Sequence, residues 1–118
     1  MPKAIMCVDD EVNLLTLYER ELSDSGFEVH TCRDVSSALS SLERQPVDLV
    51  ILDIKLAEED GLNLLEKIRR QHRDLPVILH TAYPVYKQDF HSWLADDYLV
   101  KSADLTPLKT KIRELLEL

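Results

Sequence analysis

A doubly wound α/β sheet is the fold class this sequence predicts, and three observations predict it. Short apolar runs alternate five times with longer segments whose apolar residues recur every three or four positions, the mark of successive β-α units. Three of the runs are continuous in Val, Ile and Leu, as strands covered on both faces must be. Acidic or hydroxyl residues end several runs, at the edge where open parallel sheets bind ligands.

The strand candidates are Lys3 to Val8, Glu28 to Cys32, Leu49 to Asp53, Val77 to Thr81 and Tyr98 to Val100. After the first comes an apolar stripe of Leu14, Leu15, Tyr18 and Leu22, with Gly26 placed to end that helix in a left-handed conformation. Val35, Ala38, Leu39 and Leu42 mark a second helix, which Asp34 can cap. Leu62, Leu65 and Ile68 mark a third. Pro84, Phe90, Trp93 and Leu94 suit a short or irregular fourth helix, with the aromatic rings in its core. Thr106 and Pro107 open the last helix, whose stripe is Leu108, Ile112, Leu115 and Leu116.

A chain of 118 residues fits one domain, 1–118, and folding at that size buries roughly 60 to 70% of the unfolded chain's surface. With 45% hydrophobic and 31% charged residues, disorder and fibrous repeats are excluded. A net charge of −8 repels a nucleic-acid backbone. The longest apolar run, Leu49 to Leu52, is far too short for a bilayer, and Met1 to Met6 lacks the pattern of a secretory signal, so a cytoplasmic protein is expected. Cys7 and Cys32 match no disulfide or zinc spacing and read as free buried thiols on neighbouring strands.

Asp9 and Asp10 follow the first strand, Asp53 ends the third, Thr81 ends the fourth and Lys101 follows the fifth. In a parallel sheet all five fall on one edge. Carboxylates about 4 Å apart repel by about 4 kcal/mol per pair at an effective dielectric of about 20, and a bound cation relieves that repulsion. Oxygen donors without sulfur or imidazole select a hard ion, Mg²⁺, with Mn²⁺ as the alternative. Lys101 offers a point charge for phosphate oxygens, Thr81 a hydroxyl donor, and Asp53 a nucleophile able to form an aspartyl phosphate. Taken singly the aspartates read as helix caps; taken together the five describe a phosphoryl-transfer site. His80, on the opposite side of its strand from Thr81, reads as a satisfied, partly buried histidine.

Five segments in order carry a family resemblance: V-D-D-E from Val8 to Glu11, L-V-I-L-D from Leu49 to Asp53, D-G at Asp60 and Gly61, H-T-A from His80 to Ala82, and D-Y-L-V-K from Asp97 to Lys101. Together they resemble the response-regulator receiver domain of two-component signalling, over essentially the whole chain. The resemblance implies a flavodoxin-like (βα)5 fold with strand order 2-1-3-4-5. It implies Asp53 as the acceptor of a phosphoryl group from a histidine kinase or phosphotransfer protein. Asp9, Asp10, Asp53 and the backbone carbonyl of Lys55 would hold Mg²⁺, and Thr81 and Lys101 would contact the phosphoryl group. Tyr98 would be an aromatic switch that turns inward as Thr81 moves, changing the face shown to a downstream protein. Lys55 and Tyr83 would set how long the phosphoryl group survives. Such a domain catalyses only its own phosphorylation and dephosphorylation and is not otherwise an enzyme.

The chain departs from the family pattern at three places. Ser102 stands where proline usually follows the lysine, which predicts a trans linkage. Ala57 replaces another usual proline, and the stretch from Thr81 to Lys101 is about two residues short of the family's usual length. These departures suit an alternative reading, a pseudo-receiver that works as a phosphorylation-independent scaffold; the intact acidic set opposes it.

Overall fold

The computed structural model describes residues 2–56, 59–82 and 94–118. Expectations for Ala57, Tyr83 and the fourth helix around Phe90 and Trp93 fall outside those residues. In chain order the elements are β1 (Ala4–Val8), α1 (Val12–Asp24), β2 (Glu28–Cys32), α2 (Val35–Arg44), β3 (Leu49–Leu52), β4 (Lys55–Leu56), β5 (Glu59–Asp60), α3 (Gly61–Gln71), β6 (Val77–Thr81), β7 (Asp97–Val100) and α4 (Thr106–Leu116). All five expected strands are present, three of them with one end moved by a residue. The small antiparallel pair β4–β5 was not expected.

The main sheet is parallel, in the order β2-β1-β3-β6-β7, which is 2-1-3-4-5 when its own strands are counted. Its three central strands, β1, β3 and β6, are buried along their whole length, whereas the edge strands are partly exposed. Alternation along the strands divides the core in two. Met6, Val8, Val50, Leu52, Val77 and Leu79 face α2 and α3. Ile5, Cys7, Leu49, Ile51 and Ile78 face α1 and α4. The doubly wound expectation therefore holds, with helices on both faces of the sheet. Cys7 and Cys32 are free and buried, and they belong to opposite halves of the core.

The helix ends follow local chemistry. Gly26 has φ 97°, and α1 closes with the paired bonds of a Schellman turn: Gly26 N–H to Ser23 O at 3.0 Å and Phe27 N–H to Leu22 O at 3.1 Å. Asp34 Oδ1 accepts from Ser37 N–H at 2.8 Å and caps α2. Asp60 caps α3 through Leu62 N–H at 2.9 Å. α4 begins at Thr106 as expected, behind Leu105, and Asp104 Oδ1 accepts the Thr106 N–H at 2.9 Å. Pro107 sits in the first turn as foreseen, where a missing N–H is harmless. Among the described residues no peptide bond is cis, and no helix is long and apolar enough to cross a membrane.

Candidate phosphoryl-transfer site

Backbone bonds just past the strands bring the site residues to one rim. Asp9 N–H donates to Cys32 O at 3.0 Å, Asp53 N–H to Val8 O at 3.0 Å, and Lys101 N–H to Thr81 O at 2.8 Å. With Val8 opposite Leu52 and Thr81 opposite Val100, Asp9 and Asp53 lie side by side while Lys101 leaves β7 beside Thr81. Asp9, Asp53 and Thr81 are buried, and Asp10 is half-buried.

Asp9, Asp10 and Asp53 each offer a carboxylate oxygen, all within 4.8 Å of one another. Between them reaches the Lys101 ammonium, 2.8 Å from Asp53 Oδ2, 2.8 Å from Asp9 Oδ2 and 3.2 Å from Glu11 Oε1. The Asp53 contact is a directed hydrogen bond. The Asp9 contact is a charge contact whose angle does not make a hydrogen bond, so Asp9 Oδ2 is buried with its hydrogen-bonding capacity unused. An orphaned, buried carboxylate oxygen beside two further acidic groups fits an oxygen-seeking divalent cation, as does a donor set free of sulfur and imidazole.

Burial pushes the Asp9 carboxyl up to about 6, with Asp53 adding repulsion; Lys101 and the Glu11 N–H, which donates to Asp9 Oδ1 at 2.9 Å, resist that rise. For Lys101, burial opposes the charged form, but the close carboxylates of Asp53 and Asp9 outweigh it and hold the ammonium above the usual lysine range. Lys101 thus contacts three carboxylates, with Asp10 beside two of them, and among these residues the rim carries surplus negative charge.

The loop after Asp53 is held by contact with the backbone. A Cβ on Gly61 would stand 2.1 Å from Asp53 O and 2.8 Å from Ile54 O, so the D-G pair is required by space. Lys55 sits in β4 opposite Asp60, and its N–H approaches Asp53 Oδ1 at 3.4 Å. Tyr98 is partly buried against the half of the core that Leu79 enters, the face to which alternation also assigns Thr81. Tyr83 lies outside the described residues.

Two contacts were not anticipated from sequence. Glu11 was quoted only as part of a motif, yet it is the third carboxylate on Lys101. Tyr18 was read only as a member of an apolar stripe, yet its hydroxyl hydrogen-bonds His80 Nδ1 inside the protein. The available signal was a histidine in an otherwise apolar central strand, which needs a polar partner somewhere. His80 proves fully buried rather than partly buried.

Residues 5–113 match the family model for the response regulator receiver domain. The chain belongs to this family. It is a signalling module of two-component phosphorelays, with the CheY-like fold. The response regulator TrrA of Thermotoga maritima, crystallised in complex with Mg²⁺ and BeF, superposes with a TM-score of 0.92 at 41% identity, over 96% of this chain and 98% of that one. TrrA in complex with histidine kinase ThkA gives a TM-score of 0.90 at 41% identity, over 97% and 98%. A receiver domain protein from Methanospirillum hungatei gives 0.93 at 29% identity, over 99% and 95%. Among curated relatives, the Bacillus subtilis alkaline phosphatase synthesis transcriptional regulatory protein PhoP is 31% identical over 98% of this chain and 49% of its own length. The chain spans about half the length of the curated relatives it matches.

Proposed function

We propose that residues 1–118 act as one receiver unit in which Asp53 takes a phosphoryl group from a histidine kinase or phosphotransfer protein. The observation that carries the proposal is the rim itself: a lysine ammonium 2.8 Å from both Asp53 Oδ2 and Asp9 Oδ2, inside a set of three carboxylates whose oxygens lie within 4.8 Å of one another. A carboxylate oxygen of Asp53 forms the new bond to phosphorus as the P–N bond of a phosphohistidine, or the P–O bond of an acyl phosphate, breaks and its electrons leave with the donor. Lys101 is positioned to neutralise phosphoryl oxygens, and the Thr81 hydroxyl to donate to one. Asp9, Asp10, Asp53 and the Lys55 carbonyl are the residues that would hold Mg²⁺ or Mn²⁺, which offsets charge on the transferring group. The Mg²⁺ in TrrA and the kinase complex of that relative support this assignment.

Output passes through Thr81 and Tyr98. Drawing Thr81 toward the phosphoryl group vacates space on the face where Tyr98 packs, and the ring follows, changing the surface offered to a downstream protein. Lys55 and Tyr83 modulate dephosphorylation, the bulk of Tyr83 hindering the attacking water. A Tyr83→Ala variant that loses phosphate no faster than wild type removes that role. The working compartment is the cytoplasm, and the partners are proteins rather than nucleic acid, consistent with a net charge of −8.

The test is incubation with Mg²⁺ and acetyl phosphate followed by intact-mass measurement. The wild-type chain gains the mass of one phosphoryl group, and Asp53→Asn gains none. A wild-type chain that stays unmodified at every Mg²⁺ concentration supports the scaffold reading instead.

A further inference from the structure

The Tyr18–His80 pair lies beneath the rim, outside the set of residues the phosphoryl chemistry uses. Tyr18 sits on the inner face of α1 and His80 is the penultimate residue of β6; both side chains are buried, at 1% and 3% exposure. The tyrosine hydroxyl meets Nδ1 across the interior, with the rings tilted at 49° and their centroids 5.7 Å apart. Burial pulls the imidazole down to about 4, and Lys101 lowers it further against Asp53, so the ring is neutral. In a neutral imidazole one ring nitrogen donates and the other accepts, and a tyrosine hydroxyl can meet either, so the pair is matched in both tautomers.

His80 also borders the chemistry. By the β3–β6 register, with Leu52 opposite Leu79, it lies beside Asp53, and it immediately precedes Thr81, whose carbonyl holds Lys101 N–H at 2.8 Å. A strand end is where backbone pairing runs out and local freedom rises. Here the final peptide of β6 presents both Thr81 and, through that carbonyl, the start of the Lys101 turn. The buried hydrogen bond to Tyr18, on the inner face of α1, anchors the side chain just before that peptide.

Resting on the receiver reading, we propose that Tyr18 and His80 are positioning residues: their buried hydrogen bond sets the end of β6 so that Thr81 and Lys101 meet the incoming phosphoryl group. Neither side chain hydrogen-bonds Asp9, Asp10 or Asp53, so their loss separates phosphoryl positioning from cation binding. The Tyr18→Phe change removes only the hydroxyl and leaves Nδ1 buried without its partner. The His80→Leu change removes the ring nitrogen. The His80→Asn change puts an amide group about where Nδ1 stood, able to accept from the hydroxyl or donate to it, and restores the hydrogen bond.

The experiment measures Mg²⁺ affinity and the rate of phosphoryl uptake from acetyl phosphate at saturating Mg²⁺, for wild type and the three variants, with melting curves for each. Tyr18→Phe and His80→Leu are expected to slow uptake by about tenfold or more, since misplacing a group by an ångström has effects on the order of 10²-fold. Their Mg²⁺ dissociation constants should stay within about twofold of wild type, and His80→Asn should regain most of the rate. Wild-type rates in Tyr18→Phe, a His80→Asn rate as slow as His80→Leu, or a parallel loss of Mg²⁺ affinity and rate would each overturn the proposal. If instead the wild-type chain takes up no phosphoryl group, the receiver reading falls and this inference with it.

Discussion

Two cationic side chains stand at opposite ends of β6 and β7, and their surroundings differ in one respect. Arg69, on α3, donates to Leu94 O at 2.6 Å, to Leu75 O at 2.5 Å and to Asp96 Oδ2 at 2.5 Å, while Asp96 Oδ2 also accepts Val77 N–H at 2.7 Å. Acceptors and donors are matched there, and the cluster locks the last turn of α3 to the entry of both strands. Lys101, at the other end, faces three carboxylates within 3.2 Å and leaves Asp9 Oδ2 without a directed donor. A polar cluster that is complete holds the fold together, whereas one with surplus charge is built for something that arrives later.

The largest expected effect separates the two ends by function. Arg69→Met strips several hydrogen bonds from a charged donor and leaves Asp96 without its partner, which costs about 3 kcal/mol. The ion pair adds little to that figure, because Asp96 is 39% exposed and well screened. Urea unfolding should show the lower midpoint at unchanged slope. Phosphoryl uptake by the folded variant should match wild type. A variant with a normal midpoint, or one that stays folded yet takes up no phosphoryl group, breaks the contrast.

The second effect lies in pH, and two buried groups act in opposite directions. The Asp9 carboxyl is pushed up to about 6, chiefly by burial, from its ordinary value of 3.8. It keeps its proton in the fold after the unfolded chain has lost it, so its contribution is complete below about pH 4 and is lost as pH rises through about 6. His80 is pushed down to about 4, chiefly by burial, from 6.5. Below about pH 6.5 the unfolded chain binds a proton that the fold refuses, so its contribution is lost as pH falls through that window. In metal-free wild type the two slopes offset each other. Asp9→Asn should therefore gain urea stability with rising pH between about 4 and 6, and His80→Asn should lose it. Each change is about 2 kcal/mol after allowance for solvent screening. Identical pH profiles in the two variants would dismiss the assignment of opposite slopes.

The same contrast explains what the sequence made legible. Strand positions, helix faces and the rim follow from period and from element ends, so Asp9, Asp10, Asp53, Thr81 and Lys101 are legible in local pattern, whereas the strand order came only through the family resemblance. Gly61 is legible as a motif letter, while its reason, that an added Cβ would stand 2.1 Å from Asp53 O, needs coordinates. The Arg69 latch was not foreseen, because three of its acceptors are backbone carbonyls, and a carbonyl leaves no trace in residue type. Tyr18 and His80 are 62 positions apart, and nothing in either neighbourhood marks the pairing. The β4–β5 pair and the Asp104 to Thr106 hydrogen bond were missed for a related reason: two-residue strands and local turns lie below the resolution of periodicity.

The smallest effect is the one that makes the rim's surplus charge measurable. A cation that binds only the folded chain adds RT ln(1 + [L]/Kd), about 1.4 kcal/mol at a Mg²⁺ concentration tenfold above Kd. For a domain of this size that raises Tm by about 5 to 10 °C. Asp9→Asn should lose the increment, because it removes the buried oxygen that no hydrogen bond satisfies. Arg69→Met should melt lower yet keep the full increment, since distant sites with no shared partners contribute additively. An increment that shrinks in Arg69→Met would mean the two ends of β6 and β7 are energetically coupled, and the division into a finished end and a waiting end would have to be withdrawn.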